Sequence, residues 1–116
     1  MPFRVVDERR EGDVSVFTVI VPEDCRFFDG HFPGRPVLPA IGQLAMLTEL
    51  LRRATGSAVS LTGAEGLRFS RQVLPGDQVE VRLEDPRARG TARFEIRRGE
   101  APVSRGTVRV VAKAGG

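Results

Sequence analysis

The chain is poor in the residues that build most metal, disulfide and redox sites. Its 116 residues include one cysteine, one histidine, and neither tryptophan nor tyrosine. The lone Cys25 cannot form an internal disulfide, which is typical of a reducing cytoplasm. One histidine and one cysteine do not supply the ligands of a metal site, and the glycines are not spaced as in a nucleotide-binding loop. We therefore predict no metal and no cofactor.

Long apolar runs are also missing. No stretch approaches the ~20 consecutive apolar residues that cross a bilayer, so we predict no membrane span. The N-terminal stretch MPFRVVDERREGDV lacks the apolar centre of a signal peptide and contains acidic as well as basic residues. We expect a cytoplasmic protein. Its length favours one domain, 1–116, because two halves would each be too small to bury a core.

Lysine is almost absent, and the net charge of +3 comes from arginine, with Lys113 as the only lysine. A basic surface favours acidic or phosphorylated partners. The basic residues alternate with acidic ones, however, as in VEVRLEDPRARG, and there is no tryptophan or tyrosine on which bases could stack. Nucleic acid is therefore not an expected partner.

What the sequence does contain is alternation typical of strands. Residues 3–9 and 13–21 predict two strands around the turn REGD. After residue 62, the segments 63–74, 78–85, 91–99 and 104–113 predict four more. In these, apolar positions such as Val79, Val81 and Leu83 alternate with polar ones. That pattern favours an antiparallel sheet with one face in the core.

One helix is expected, from Ala40 to about Ala54. Pro39 suits its first turn, and Gly56 suits its end. Its apolar residues cover most of the circumference, so the helix must be buried on most sides. In a chain of this size a sheet curled around the helix can do this. The fold class predicted from the residues is α+β, with one long central helix and a curled antiparallel sheet.

Between the second strand and the helix lies PEDCRFFDGHFPGRPVLP, residues 22–39. A shaped loop of this length in a small domain is often functional. Its prolines reduce the freedom of the unfolded chain, and its glycines permit turns that other residues resist. The only histidine, His31, is therefore held in a defined place. An imidazole has a pKa near ~6.5, which suits a catalytic base; a hydrogen-bonded structural histidine is the alternative.

The stretch FFDGHFPGRPVLPAIGQL, residues 27–44, resembles the beta-hydroxyacyl-acyl-carrier-protein dehydratase family. LRFSRQVLPGDQVEV, residues 67–81, is similar to the family's strand and Pro-Gly-Asp turn. The resemblance implies a hot-dog fold and a homodimer or higher oligomer. It also implies an acyl thioester as partner, carried by acyl carrier protein or coenzyme A, in fatty-acid or polyketide-type lipid synthesis. Asp77, in the Pro-Gly-Asp turn, is expected to be a turn residue.

The resemblance assigns roles to particular residues. His31 corresponds to the base that removes the proton alpha to the thioester. The backbone N–H at Ala40, where the family usually has glycine, corresponds to the donor that polarises the substrate carbonyl. By their chemistry, Arg68 and Arg71 near a strand end are candidates for binding the pantetheine phosphate or an acidic carrier protein; the alternative is that they are ordinary exposed strand arginines. The substrate-binding candidates are Phe32, Gly34, Pro39, Ala40, Gln43 and Ala45; for Gln43 the alternative is a structural hydrogen bond.

The family's second catalytic group, a Glu or Asp on the helix, is missing. The position fourteen residues past His31 is Ala45, which cannot donate a proton. Glu49 follows on the same helical face, about one turn away, where the family commonly has glutamine. We predict Glu49 as a substitute catalytic acid or base. The alternative is a surface residue that pairs with Arg53.

Three functions follow from these residues. The first is a 3-hydroxyacyl-thioester dehydratase-like protein with an altered acid site. The second keeps the fold and ligand but hydrolyses the thioester, with His31 or Glu49 activating water. The third is a catalytically silent subunit whose active homologue supplies the missing acid in a heterodimer.

Overall fold

The computed structural model of the chain describes residues 3–23 and 40–113. The described elements are β1 (Arg4–Glu11), β2 (Val14–Ile20), α1 (Ala40–Thr55), β3 (Val59–Phe69), β4 (Gln78–Glu84), β5 (Thr91–Arg98) and β6 (Ala101–Ala112). The strands form one antiparallel sheet in the order β1-β2-β4-β5-β6-β3. The predicted succession of two strands, a helix and four strands is confirmed.

Alternation along the strands sorts side chains into the core as expected. Val79, Val81 and Leu83 of β4 are at most 1% exposed, and Ala92, Phe94 and Ile96 of β5 at most 4%. They join inward residues of β2 and β6 in one apolar cluster with the helix. Fully burying such a side chain contributes roughly 1.5–3 kcal/mol. The sheet and the helix are therefore stabilised by a shared core.

The two hairpins with two-residue loops, β1–β2 and β5–β6, turn where glycine adopts a left-handed backbone. Gly12 has φ +63° between β1 and β2, and Gly99 has φ +60° between β5 and β6. Two-residue turns of this kind match the twist of the strands that they join, and glycine adopts positive φ without steric cost. The predicted turn REGD, which contains Gly12, is confirmed.

The helix matches its predicted start and runs one residue beyond its predicted end. It begins at Ala40 and ends at Thr55, and Gly56 follows with φ +74° and a backbone hydrogen bond of 2.9 Å to the carbonyl of Arg52. Met46, Leu47, Leu50 and Leu51 are completely buried. The residues on the other side, including Leu44, Ala45, Thr48 and Glu49, are only half-buried.

The third strand differs from its prediction. The expected segment was 63–74, whereas β3 runs over Val59–Phe69. It begins earlier because Val59 and Leu61 already pair with β6. It ends earlier because the backbone N–H groups of Ser70 and Arg71 both donate to the carbonyl of Val103, so the chain leaves the strand register there. Residues 70–77 instead lead into the Pro-Gly-Asp turn.

The two edges of the sheet have different surfaces. β1 carries six charged side chains in the stretch RVVDERRE, which discourages pairing with another strand. β3 carries Leu67, 38% exposed, and Phe69, 41% exposed, and its outer edge has no partner strand within the described residues. No helix in the described part of the chain is long and apolar enough to cross a membrane.

Candidate functional site

The first turn of α1 is the structural anchor of the candidate site. Ala40 is its first residue and is exposed. The first N–H groups of a helix have no partner within the helix and carry partial positive charge, which favours an anionic or polarised oxygen. The first turn contains no acidic residue to occupy these donors. This part of the chain can therefore polarise a carbonyl.

Four of the predicted site residues fall outside the described residues. They are His31, Phe32, Gly34 and Pro39, and Cys25 lies in the same segment. Their assignments stay predictions. The six others, Ala40, Gln43, Ala45, Glu49, Arg68 and Arg71, all lie in described elements or turns.

Gln43 is held in the core by a serine that the sequence did not single out. The Ser104 hydroxyl on β6 donates to Oε1 of Gln43 at 2.8 Å, and the two residues are 2% and 3% exposed. This is the structural hydrogen bond considered as an alternative for Gln43. The signal for Ser104 was a polar residue at an inward position of an otherwise apolar strand pattern.

Ala45 and Glu49 share the half-buried face of α1. Residues four apart on a helix lie above one another, separated by about 6 Å along the axis. Within residues 3–23 and 40–113, the Glu49 carboxylate makes no hydrogen bond or ion pair. The Thr48 hydroxyl between them donates to the carbonyl of Leu44 at 3.0 Å. Glu49 is thus the carboxylate that this face presents.

The expected pair between Glu49 and Arg53 is wrong. The Arg53 guanidinium instead lies 3.3 Å from the Glu8 carboxylate on β1. Arg53 lies near the end of α1, where the helix passes the first strand, so its side chain reaches across to the sheet edge. The pair ties the end of the helix to β1 and leaves Glu49 without this cation.

Arg68 and Arg71 flank the point where β3 ends. Both side chains are exposed, and Arg68 lies directly opposite Arg105 of β6 in the strand register. None of the three arginines forms an ion pair with any residue of the described ranges. Because Phe69 pairs with Ser104, whose hydroxyl holds Gln43, these arginines lie at the same end of the sheet as the start of α1.

The Pro-Gly-Asp turn is tied to the end of β2 and to β5. Gly76 has φ +82°, and its N–H donates to the carbonyl of Val21 at 2.7 Å, while the N–H of Val21 donates to the Asp77 carbonyl. The Asp77 carboxylate accepts hydrogen bonds from the N–H of Leu74 and from Arg98, the latter at 2.6 Å. Asp77 is a turn residue, as predicted, and it also fixes where the chain leaves β2 toward the histidine.

A groove of about 550 Å³ lies elsewhere on the molecule. It is lined by alternating charges, including Arg82, Glu84 and Arg93, and by none of the predicted site residues. Within the described residues, no group of histidine, cysteine, aspartate or glutamate side chains is arranged to hold a metal ion. The chemistry expected of the chain therefore centres on α1.

Comparisons with known proteins agree on the family. Residues 7–107 match the model of the ApeI-like family, described as ApeI dehydratase. The 3-hydroxyacyl-[acyl-carrier-protein] dehydratase FabZ of Bacillus pumilus is 38% identical, over 77% of this chain and 69% of the relative.

Two solved structures share the fold. A chain of the dehydratase heterocomplex ApeI:P from Xenorhabdus doucetiae superposes with a TM-score of 0.83 at 16% identity, covering 97% of this chain and 100% of that one. The fluoroacetyl-CoA-specific thioesterase FlK gives 0.61 at 19% identity, covering 90% and 96%. These likenesses confirm the predicted hot-dog fold, with its helix wrapped by an antiparallel sheet. The chain therefore belongs to the 3-hydroxyacyl-acyl-carrier-protein dehydratase family, as a dehydratase-like protein with alanine at position 45.

Proposed function

We propose that this protein catalyses the reversible dehydration of a 3-hydroxyacyl thioester carried by acyl carrier protein, in cytoplasmic fatty-acid or related lipid synthesis. The observation that carries the proposal is the start of α1 at Ala40, directly after the histidine loop. The first N–H groups of a helix have no partner within the helix, and we propose that they bind the thioester carbonyl oxygen.

In the proposed reaction, His31 removes the proton from the carbon alpha to the thioester. Negative charge develops on the carbonyl oxygen and is stabilised by the Ala40 N–H and the N-terminal dipole of α1. The electron pair then forms the double bond between the alpha and beta carbons as the bond from the beta carbon to its hydroxyl breaks. A proton from an acid converts the departing hydroxyl to water.

Glu49 is the proposed acid. Its carboxylate has no partner within residues 3–23 and 40–113, it is half-buried, and it shares a helix face with Ala45. A displacement of one helical turn, about 5.4 Å, requires a pocket reshaped around Glu49. The small side chain of Ala45 leaves room for substrate between the helix start and that carboxylate. We propose that Phe32, Gly34, Pro39, Gln43 and Ala45 bind the acyl thioester.

Arg68 and Arg71 are proposed to bind the carrier. Both are exposed, and neither is neutralised by a carboxylate within the described part of the chain. Guanidinium groups bind phosphate through paired hydrogen bonds, so these arginines suit the phosphate of a pantetheine arm or an acidic carrier surface. Coenzyme A carries the same pantetheine arm and is the alternative carrier.

A dimer through β3 is proposed as the working form. The outer edge of β3 offers exposed apolar side chains, Leu67 and Phe69, beside backbone groups available for pairing. A second copy paired there would extend the sheet. The half-buried face of α1, with Ala45 and Glu49, is the surface that a partner subunit would complete.

A second candidate function is a silent subunit in a heterodimer. The observation that favours it is Ala45, since alanine supplies no proton. The Xenorhabdus doucetiae structure that shares this fold is described as a dehydratase heterocomplex. In this second candidate, a homologue would contribute a carboxylate opposite His31 and so complete the site.

Turnover of the purified protein tests the proposed function. The protein is incubated with 3-hydroxyhexanoyl, enoyl and saturated hexanoyl thioesters of acyl carrier protein, and the products are separated by mass spectrometry. We expect interconversion of the hydroxyacyl and enoyl forms by the protein alone, and its loss in His31→Asn.

The other outcomes select the alternatives. Turnover only after a genomically adjacent homologue is added would replace the proposal with the heterodimer. Release of free acid would replace it with thioester hydrolysis, the activity in the description of FlK. His31→Asn with full turnover would contradict the proposed base.

A further inference from the structure

A single polar pair joins the start of α1 to the sheet through the apolar core. Among the described residues, the polar side chains classed as buried are Ser15, Gln43 and Ser104. The last two are 3% and 2% exposed, and the Ser104 hydroxyl donates to Oε1 of Gln43 at 2.8 Å. Gln43 stands three residues after Ala40, in the first turn of the helix.

Stability alone gives little reason for this pair. A buried neutral hydrogen bond contributes about 1 kcal/mol net, and replacing both partners with apolar groups of similar shape is nearly neutral. The inward neighbours of Ser104 along β5 and β6, such as Ile96 and Val108, are apolar. A leucine facing an alanine would therefore suit this core as well as glutamine facing serine.

The hydrogen bond from Ser104 fixes the orientation of the Gln43 side-chain amide. A side-chain amide is planar, with an accepting oxygen and a donating NH₂ on opposite branches. Because Ser104 engages the oxygen, the nitrogen branch points elsewhere. No residue within 3–23 or 40–113 accepts a hydrogen bond from Nε2 of Gln43, and this atom is not among the buried atoms left without a partner. Within the described residues, the Nε2 hydrogens of Gln43 therefore have no acceptor.

We propose that Ser104 is a positioning residue that orients the Gln43 amide as a hydrogen-bond donor to the carbonyl oxygen of a bound acyl thioester. Gln43 then adds a side-chain donor to the backbone donor of Ala40. This inference rests on the proposed function, since it requires a thioester at the start of α1. It narrows the predicted substrate-binding role of Gln43 to donation to one oxygen, with the structural hydrogen bond as the device that orients it.

Two ligands that differ only at that oxygen isolate the effect. The probes are hexanoyl-pantetheine, a thioester, and hexyl-pantetheine, the thioether in which CH₂ replaces the carbonyl. Binding of each to the full chain is measured by titration calorimetry, and the ratio of the two dissociation constants reports hydrogen bonding to the carbonyl. Wild type is expected to prefer the thioester.

Ser104→Ala and Gln43→Leu are each expected to lower that preference about tenfold, the effect of one hydrogen bond. The double variant is expected to lose no more than either single variant, because both act through one amide. Ser15→Ala is the matched control: it removes a buried serine hydroxyl from β2, near Arg53 and Ala54 at the far end of the helix. It should leave the ratio unchanged.

The melting temperature of each variant sets a titration temperature at which all of the variants are folded. A purely structural pair would weaken both ligands equally, which would overturn the inference. The same preference in wild type and Ser104→Ala would overturn it as well. Wild type that binds neither probe would instead overturn the proposed function, and the inference with it. Loss of the thioester preference in Ser104→Ala, with unchanged binding of hexyl-pantetheine, supports the inference; the melting temperature is expected to fall in either case, because Oε1 of Gln43 loses its buried donor.

Discussion

The two faces of α1 have different roles. One face is built from Met46, Leu47, Leu50 and Leu51, which are fully buried against the sheet. The other presents Leu44, Ala45, Thr48 and Glu49, which are half-buried. The first face specifies where the helix lies. The second is left for substrate or a partner subunit, so substitutions on the two faces should affect different measurements.

The largest effect on stability is expected from the buried face. Leu47→Ala removes a fully buried side chain and should lower the free energy of unfolding by about 2–5 kcal/mol. Leu44→Ala, one turn earlier on the half-buried face, should cost only about 1 kcal/mol, because less apolar area is lost. Urea unfolding at one protein concentration measures both. Equal losses would show that α1 is packed alike on its two faces.

Low pH should destabilise the protein by protonating carboxylates that are hydrogen-bonded in the folded structure. Hydrogen bonds from the Arg87 side chain and backbone N–H hold the pKa of Asp85 well below its usual range. A carboxylate whose pKa is lower in the folded than in the unfolded chain stabilises the fold at pH values above its unfolded pKa of about 3.9. This contribution is lost as the pH falls through the folded-state pKa. The free energy of unfolding should therefore decrease below about pH 4.

Asp85→Asn should make the free energy of unfolding less dependent on pH in the acid range and should lower it at neutral pH. The measurement is the urea midpoint between about pH 2 and pH 7, over which the charge of Asp85 changes in the unfolded chain. Arg87→Gln removes the main cause of the shift and should act in the same direction. If the urea midpoint of both variants fell at low pH as it does in the wild type, groups other than Asp85 would be responsible for the pH dependence.

The smallest effect on stability is expected at Glu49. Its carboxylate has no partner in the described ranges, so Glu49→Gln should change the free energy of unfolding by no more than about 0.5 kcal/mol. Glu8→Gln is the comparison variant, because it also neutralises a carboxylate but removes the ion-pair partner of Arg53. Stability that falls by more than 1 kcal/mol in Glu49→Gln, roughly the upper limit for an exposed ion pair, would mean that Glu49 is structural.

Periodicity in the sequence predicted most of the framework. Alternation in β4 and β5 identified the buried positions because each strand has one face in the core. Proline and glycine at its ends located the helix closely. The bounds of β3 could not be predicted the same way, because its ends depend on pairing with β6 and on hydrogen bonds to Val103. The expectation of one domain over 1–116 stays a prediction.

Candidate site residues could be named only where a residue type or the family resemblance pointed to them. His31 is the chain's only histidine, in a loop rich in proline and glycine, and Ala45 and Glu49 follow from the resemblance; the roles of all three stay predictions. The contacts of Ser104 with Gln43 and of Arg98 with Asp77 could not be predicted, because each joins residues distant in sequence. The partner of Arg53 was mistaken for the same reason, since Glu8 is 45 residues away.

The most direct test moves the carboxylate between the two positions on the half-buried face. Turnover of 3-hydroxyhexanoyl-acyl-carrier-protein to the enoyl form is compared for wild type, Glu49→Gln and the double variant Ala45→Glu/Glu49→Gln. A general acid raises the reaction rate about 10²–10⁴-fold. Glu49→Gln should therefore lower kcat by at least about 10²-fold, and the double variant should restore turnover. Full turnover in Glu49→Gln, or a double variant as inactive as Glu49→Gln, would contradict the account.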